Sequence, residues 1–411
     1  MLLLSLAARN LLRNRRRTLI TMAGISLGLA LMMVSNNIAF GSHNQMLRTA
    51  ISMMAGHVVV QAEGYQADPS PKRVMADSTA ITDQVRAAVP EAKMVTRRIY
   101  VDGLLSSPAN SVAVAVKGVE PDKEKEVVDI DDKLTDGAWL QDGDKQDILL
   151  GASMAESLGV GVGDKVVYMG QPASGEVQSL VFRVRGIFKT GAPEIDGFTV
   201  LVPIQAVQGL YERPDVATQI SVHLDSDHDT AKATKAVRAA LSRPGLEILP
   251  WEDAIPDIRD FVKLDSAYGD GIWLVLGIIV AMGVVNTVLM SVLERVRELG
   301  VMMAVGMKPG QLARMVLTEG LILGAVSAVI GIIIGLLLTW ALAIHGIDLS
   351  GEMGRSMEAA GVPISLVLYP EVDWFRLGIY PLVGVGFAFL ASLYPAYKVT
   401  RLTPVEAIHH Q

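Results

Sequence analysis

A cluster of charges stands between two apolar segments in the stretch LMSVLERVRELGVMMAVGM, residues 289–307. On a helix turning by 100° per residue, three of these charges share one side, Glu294, Arg297 and Glu298. The opposite side is apolar, with Val296, Leu299 and Met303. Carboxylates and guanidinium groups in this pattern can recognise a partner through charge-assisted hydrogen bonds. The alternative is a solvated helix whose charges pair with one another.

The rest of the sequence contains few motifs that indicate enzyme chemistry. It contains no Gly-Lys dipeptide, which excludes a Walker A phosphate loop, and its seven histidines form no HExxH motif. His409 and His410 are more typical of a solvated tail than of a metal site. The glycine-rich stretch at Gly159 precedes a strand, whereas a dinucleotide fingerprint follows one. Since cysteine is also absent, we predict a non-catalytic chain without catalytic, cofactor-binding or metal-binding residues.

The composition indicates a membrane protein with a large soluble part. Of 411 residues, 51% are hydrophobic and only 5% aromatic, and the mean hydropathy is +0.38. Four apolar windows each have about 20 residues or more, enough to cross a hydrocarbon core of about 30 Å. They predict membrane-spanning helices at 18–40, 270–293, 319–345 and 377–397. The remaining segments are 1–17, 41–269, 294–318, 346–376 and 398–411.

Basic residues orient the predicted spans. Five arginines precede the first span, Arg9, Arg13, Arg15, Arg16 and Arg17. Further bases follow the second and fourth spans, so the positive-inside rule predicts cytoplasmic N- and C-termini. Segments 41–269 and 346–376 then lie outside. Residues 1–17 have the pattern of an interfacial helix on the inner leaflet, and a simple positively charged anchor is the alternative.

Segment 41–269 has the pattern of an α+β domain. Short alternating runs predict strands that begin near Gly56, Ser111, Asp164, Leu180, Phe198 and Gln219. Helical patterns lie between them at 82–89, 152–158 and 229–241. The first membrane helix is expected to continue past Asn37 as a stalk through Gln45 and Met54. The predicted fold class is a membrane protein with four transmembrane α-helices and a large α+β extracytoplasmic domain inserted between the first and second.

Small residues at four-residue spacing predict close packing between membrane helices. The pairs are Gly24 with Gly28, Gly320 with Gly324, and Gly331 with Gly335. Two helix backbones can approach closely where side chains are absent. The alternative is the ordinary abundance of glycine in membrane helices.

Three motifs together resemble the MacB/FtsX-type ABC transporter permease family. They are LAARNLLRNRRRTLITMAGISLG at the start, ERVRELGVMMAVGMKPGQL after the second span and YPAYKVTRLTPVEAIHH at the end. GHVVVQAEGY, ILLGASMAESLGVGVGDKV and VRGIFKTGAPEIDGF are most similar to the lipoprotein-releasing (LolC/LolE-like) branch. The resemblance implies a bacterial inner-membrane protein with a periplasmic core at 41–108 and 204–269 and an inserted lobe at 109–203.

The resemblance also implies a role for segment 294–318. In this family the helix after the second span couples the permease to a separate cytoplasmic ATPase dimer, which uses ATP and Mg. The implied coupling residues are Glu294, Arg295, Arg297, Glu298, Gly306 and Lys308. Gly306 can end the helix in a left-handed cap, and Pro309 suits the first turn of the next one. A second permease copy is expected, in a homodimer or a related heterodimer.

The family mechanism is mechanotransmission, in which ATP-driven motion passes through the membrane helices to the periplasmic domains. Three functions follow as alternatives: lipoprotein extraction or related export, peptide or drug efflux with a periplasmic adaptor, and non-transporting regulation of cell-wall hydrolases. The first is favoured. It implies an apolar vestibule for acyl chains at the outer ends of the first two spans, formed by Met32, Met33, Ile272 and Leu276.

Overall fold

A computed structural model of the chain describes residues 15–128, 133–171, 176–190, 193–211, 213–348 and 367–401. Most of the interfacial helix predicted at 1–17, and the tail after Arg401, lie outside these residues. The chain divides into two compact units. The first contains Met1–Ser42, Lys263–Ile347 and Leu368–Gln411, and the second contains His43–Val262 and Asp348–Val367.

The described helices are α1 (Arg15–Ala50), α2 (Ser78–Ala88), α3 (Pro121–Val128), α4 (Ala152–Leu158), α5 (Pro193–Phe198), α6 (Ile204–Leu210), α7 (Thr230–Ala240), α8 (Trp251–Ala254), α9 (Pro256–Glu294), α10 (Val296–Ala304), α11 (Pro309–His345) and α12 (Trp374–Thr400). The strands are β1 (Val58–Ala62), β2 (Met75–Ala76), β3 (Met94–Ser106), β4 (Ser111–Val119), β5 (Leu134–Gly137), β6 (Asp147–Gly151), β7 (Lys165–Gly170), β8 (Gln178–Phe188), β9 (Thr199–Pro203), β10 (Val216–Ala217), β11 (Gln219–His223), β12 (Leu246–Pro250), β13 (Ile347–Asp348) and β14 (Val367–Leu368).

Four described helices are long and apolar enough to cross a membrane: α1, α9, α11 and α12. Each contains one of the four predicted spans. Three of them, α1, α9 and α11, extend well beyond the apolar window, because an uncharged run marks only the part of a helix inside the hydrocarbon. Helix α1 reaches Ala50 and is followed by a π-helical turn, Ile51–Ala55, which confirms the predicted stalk. Helix α9 begins at Pro256, before the predicted span at 270.

Glycines lie where these helices make close contacts. A Cβ atom on Gly324 would lie 2.6 Å from the Cβ of Ala388 in α12, and one on Gly331 would lie 2.9 Å from the carbonyl oxygen of Ser26 in α1. Gly28, Gly320 and Gly335 are similarly close to Val280, Ser392 and Met33. Gly24 differs from the other five, since a Cβ there would meet no described atom within 4 Å.

Alanine at Gly324 is therefore expected to destabilise the membrane helices by about 1–3 kcal/mol, because the added methyl group overpacks the contact between α11 and α12. Gly24→Ala is the matched control, since its methyl group enters open space. The measurement is the midpoint of thermal unfolding in detergent, with a lower midpoint expected only for Gly324→Ala. Equal decreases for both variants would contradict the packing role.

Four antiparallel strands form one part of the second unit. Their order is β12-β1-β11-β3, so the two outermost strands are distant in sequence from their neighbours. Helices α2 and α7 pack on the sheet, and buried side chains from both helices and the strands form one apolar core, including Ile81, Val85 and Val237. The alternation seen in the sequence arises here because one face of each strand contacts these helices.

The remaining large strands form a closed ring that shares β3 with the first four. Its order is β3-β4-β9-β6-β8-β7, and β7 pairs again with β3. The interior is apolar, with Leu105, Val166, Phe182 and Val200 among its buried side chains. These observations confirm the α+β class and the predicted strands at β1, β4, β7, β8, β9 and β11. The boundaries at 108 and 204 stay predictions.

Candidate functional site

The charged segment after the second membrane helix forms a separate short helix. Helix α9 ends at Glu294, Arg295 leaves helical geometry with φ −113° and ψ 12°, and α10 then begins at Val296. Its inward side is buried, as the pattern predicts, at Val296, Leu299 and Met303. The exposed side carries the predicted charges Glu294, Arg297 and Glu298.

The end of α10 is fixed by backbone hydrogen bonds of the Schellman type. Gly306, with φ +104°, donates from its N–H to Met303 O at 3.0 Å, and Met307 donates to Met302 O at 3.0 Å. Lys308 N–H then donates to Gln311 Oε1 at 2.9 Å, and Pro309 opens α11. The predicted glycine cap and proline start are confirmed. At the tip, Val305 is 85% exposed.

Arg295 does not lie with the exposed charges, which corrects its grouping with them. Its side chain and that of Glu319 in α11 are each 7% exposed, and Arg295 Nη1 lies 3.2 Å from Glu319 Oε1. The break between α9 and α10 places Arg295 inward, where a guanidinium group requires a counter-charge. Arg295 thus connects the junction of α9 and α10 to α11. The only sequence signal for Glu319 is its position at the start of an apolar window.

A second feature of this unit is a cavity of about 370 Å³ between α1, α9 and α12. Its lining residues are Leu29, Met32, Asp270, Trp273, Leu274, Phe375, Arg376, Ile379, Tyr380, Val383 and Phe387. Trp273 stacks on Tyr380 with ring centroids 4.9 Å apart. The lining is therefore mostly apolar and aromatic, as in many small-molecule sites.

The predicted vestibule residues are only partly in this cavity. Met32 lines it, but Met33 is buried beside Gly335 instead. Ile272 and Leu276 are 62% and 39% exposed and are not among the lining residues. The prediction used the position of each residue along its helix but not the direction in which the residue faces. Adjacent residues on a helix point 100° apart. Trp273 and Leu274, next to Ile272, line the cavity.

Several polar groups meet at Arg376, which lines the cavity. The sequence pattern did not predict a role for this arginine. Arg376 Nη1 lies 3.2 Å from Asp270 Oδ1 in α9 and also donates to Asn36 Oδ1 in α1. Asp373 begins α12, because its carboxylate accepts from the backbone N–H groups of Phe375 and Arg376 at 3.1 and 3.0 Å. These contacts join α1 and α9 to the start of α12.

The second unit contains a fully buried charge cluster, formed by Arg98 in β3, Lys117 in β4 and Glu124 in α3. Arg98 donates to both carboxylate oxygens of Glu124, at 2.8 and 3.2 Å, and Lys117 Nζ donates to one of them at 2.6 Å. Burial and the charge of Arg98 lower the pKa of Lys117 to about 7. Although burial opposes it, Arg98 and Lys117 lower the pKa of Glu124.

His223 in β11 lies beside this cluster, and the protein is therefore expected to lose stability in mild acid. Burial, followed by the charges of Arg98 and His57, holds the pKa of His223 well below 6.5. The folded chain thus keeps His223 neutral, while the unfolded chain binds a proton below pH 6.5. The free energy of unfolding should fall by about 1.4 kcal/mol through this group between pH 7.5 and 5.5.

The check is a comparison of unfolding midpoints at pH 7.5 and 5.5 for the wild type and His223→Gln. Every other residue is shared by the two proteins, so the difference between the two pH dependences belongs to residue 223. A smaller acid-induced decrease is expected in the variant. An identical decrease would show that a proton reaches His223 in the folded chain.

Comparison with known proteins assigns the chain to a class. Residues 18–240 match the MacB-like periplasmic core domain, and residues 271–404 match the C-terminal region of FtsX-like permeases. Four membrane helices with such a domain after the first define an ABC transporter permease, a type of membrane subunit that is generally non-catalytic. The chain belongs to the MacB/FtsX-type permease family.

Relatives from several branches align over nearly the whole chain. LolC of Neisseria meningitidis, a lipoprotein-releasing system transmembrane protein, is 23% identical over 96% of this chain and 94% of its own length. LolC of Xylella fastidiosa is 28% identical over 97% of both chains. The macrolide export ATP-binding/permease protein MacB of Agrobacterium fabrum is 24% identical over 98% of this chain and 60% of its own length.

A solved structure of the periplasmic region of MacB from Actinobacillus actinomycetemcomitans is also similar. It covers 52% of this chain and 97% of its own, with 14% identity and a TM-score of 0.37.

Proposed function

We propose that this chain is the permease subunit of a mechanotransmission transporter that extracts or exports a lipoprotein or a related envelope substrate. The observation that carries the proposal is the coupling helix α10, whose exposed charged side is joined to α11 by the buried Arg295–Glu319 pair. A force applied to α10 would pass into α11, because a buried ion pair resists separation.

The proposed partner is a cytoplasmic ABC ATPase dimer that binds ATP and Mg. Glu294, Arg297 and Glu298 would contact it, with Gly306 and Lys308 shaping the turn that follows. Relatives described as ATP-binding/permease proteins support this arrangement, since this chain corresponds to 60% of one of them and has no Walker A motif. A second permease copy, identical or related, would complete the membrane part.

The proposed location is the bacterial inner membrane, with both termini in the cytoplasm and the second unit in the periplasm. The arginines before α1 support this orientation, because bases are retained on the cytoplasmic side. Arg15 and Arg16 are exposed at the start of α1. The charged side of α10 would then face the same compartment as the ATPase.

Acyl chains are the proposed ligand class of the membrane cavity. The relatives named for lipoprotein release favour this cargo, and the apolar, aromatic lining would receive lipid tails. Arg376 at this site could contact an anionic headgroup. Efflux of a drug or peptide is the second candidate, and it is favoured by the similarity to a macrolide exporter.

Photocrosslinking in cells tests the cargo. A photoreactive amino acid at Phe375, which is 78% exposed and lines the cavity, should capture a lipidated protein detected through a clickable fatty acid. Trp374 is the matched control, since it is 75% exposed but is not a lining residue. Capture of phospholipid alone at both positions would count against extraction.

A further inference from the structure

The stalk that continues α1 ends inside the second unit, at the π-helical turn Ile51–Ala55. The last carbonyl groups of a helix have no partner within the helix, so they require donors from elsewhere. Here side chains of the sheet provide them. Arg98 donates from Nη2 to Ser52 O at 2.6 Å, and Lys117 donates from Nζ to Met53 O at 2.6 Å.

The next two carbonyl groups are held in the same way. Tyr100 Oη donates to Met54 O at 2.8 Å, and Gln219 Nε2 donates to Met54 O at 3.2 Å and to Ala55 O at 2.9 Å. Four consecutive carbonyl groups therefore accept hydrogen bonds from strands β3, β4 and β11. The turn is attached to three strands at once.

The position of the buried charge cluster at the end of the stalk is explained by charge balance. Arg98 carries one positive charge, and Lys117, whose pKa is lowered to about 7, carries a second when it is protonated, whereas Glu124 carries one negative charge. The carbonyl end of a helix bears a partial negative charge, which complements the remaining cation. The carboxylate of Glu124 accepts hydrogen bonds from both cations. Carbonyl oxygens at the end of the stalk accept hydrogen bonds from their remaining N–H groups. The cluster is thus completed by the end of the stalk.

We infer that Arg98, Lys117, Glu124 and Gln219 form a rigid joint that transfers motion of the α1 stalk directly to the periplasmic sheet. Sliding or turning the stalk end would leave the buried carbonyl groups of Met53 and Ala55 and the buried charges without partners, and each such loss is costly. These four are positioning residues. The inference rests on the proposed mechanotransmission for its use, but the rigidity of the joint is a property of the chain alone.

Pulsed electron paramagnetic resonance on the full-length protein in detergent tests the joint. Because the chain has no cysteine, Arg48→Cys on the stalk and Lys235→Cys on α7 provide the only two labelling sites. Both positions are exposed. The labelled protein is compared with and without Lys117→Met, with Lys123→Met as the control. Lys123 also pairs with a glutamate, at 2.9 Å, but donates to no stalk carbonyl.

The expected result is a narrow distance distribution in the labelled protein and in Lys123→Met, and a broader one with longer distances in Lys117→Met. Gln219→Met serves as a second, uncharged variant in case Lys117→Met fails to fold, and it should broaden the distribution as well. An unchanged width in a folded variant of either residue would overturn the joint, even if its unfolding midpoint fell.

The width is measured without nucleotide and without an ATPase, so it is independent of the proposed function. A second labelling pair, Lys263→Cys with Lys235→Cys, reports whether ATP moves the periplasmic unit in the assembled complex. A rigid joint with no ATP-driven change would contradict mechanotransmission alone. An ATP-driven change together with a broad stalk distribution would contradict the joint alone.

Discussion

Replacing Arg295 by methionine is expected to destabilise the membrane helices by about 3–5 kcal/mol, because it removes the guanidinium group that pairs with the buried carboxylate of Glu319. Both side chains are 7% exposed, so water cannot replace the lost partner. The same change should reduce ATP-coupled activity, since α10 would lose its polar connection to α11. Thermal unfolding in detergent measures the first effect and stimulated ATP turnover of the assembled complex the second.

Two controls distinguish the buried pair from charge in general. Arg297→Met removes an exposed arginine two residues away and should change stability by less than about 0.5 kcal/mol. The double variant Arg295→Met with Glu319→Met should recover most of the lost stability, because an apolar pair can replace a buried ion pair. The coupling role is separated from the stability role if the double variant folds normally yet turns over ATP without stimulation. A stable single variant would contradict the importance of this pair.

Helix α10 shows what periodicity can and cannot predict. The 100° pattern identified the buried side at Val296, Leu299 and Met303, and Gly306 and Pro309 gave the end of one helix and the start of the next. Arg295 was included among the coupling residues through the family resemblance, and its burial was not predicted. Its burial depends on a break in the helix and on an acid 24 residues away, and neither is visible in a local pattern.

The periplasmic unit shows the same limit for strands. Alternating runs identified β1, β4 and β8, because each presents one face to an apolar core. The longest strand, β3, was missed since its sequence contains the consecutive arginines Arg97 and Arg98. Arg98 is nevertheless buried, because Glu124 and the stalk carbonyls satisfy its guanidinium group. Strand order was also beyond prediction, as it depends on pairings such as Ser106 with Val167.

The predicted vestibule and the membrane cavity share Met32, and the vestibule itself stays a prediction. Apolarity at the outer ends of two spans pointed to Ile272 and Leu276, while the cavity is lined by Trp273 and Leu274. The rotation of a membrane helix is difficult to read from its sequence, because lipid-facing and buried positions are equally apolar. Helix α12 forms the third wall of the cavity through Phe375 and Tyr380. This contribution could not be predicted from the sequence, because it depends on how the helices pack.

Reversal of charge at Glu298 is expected to weaken binding of the ATPase strongly if α10 is the coupling helix. Glu298 is exposed beside Arg297, on the side opposite the buried residues of α10. In a desolvated interface, Glu298→Arg would remove a charge-assisted contact and add a like-charge one, at a cost of about 2–5 kcal/mol. The dissociation constant should then rise at least about thirty-fold. Folding should be preserved, since no buried contact of α10 is changed.

The measurement is the affinity of the ATPase for the purified permease, together with stimulated ATP turnover. Glu156→Arg is the matched control, because it reverses an exposed glutamate on a helix of the second unit. Its affinity for the ATPase should equal that of the wild type. A loss of affinity in Glu298→Arg alone would show that the position of the charge matters, since both variants change the net charge of the chain by the same amount. Full affinity and full stimulation in Glu298→Arg would mean that α10 is a solvated connector, and the force would then have to enter the membrane helices elsewhere.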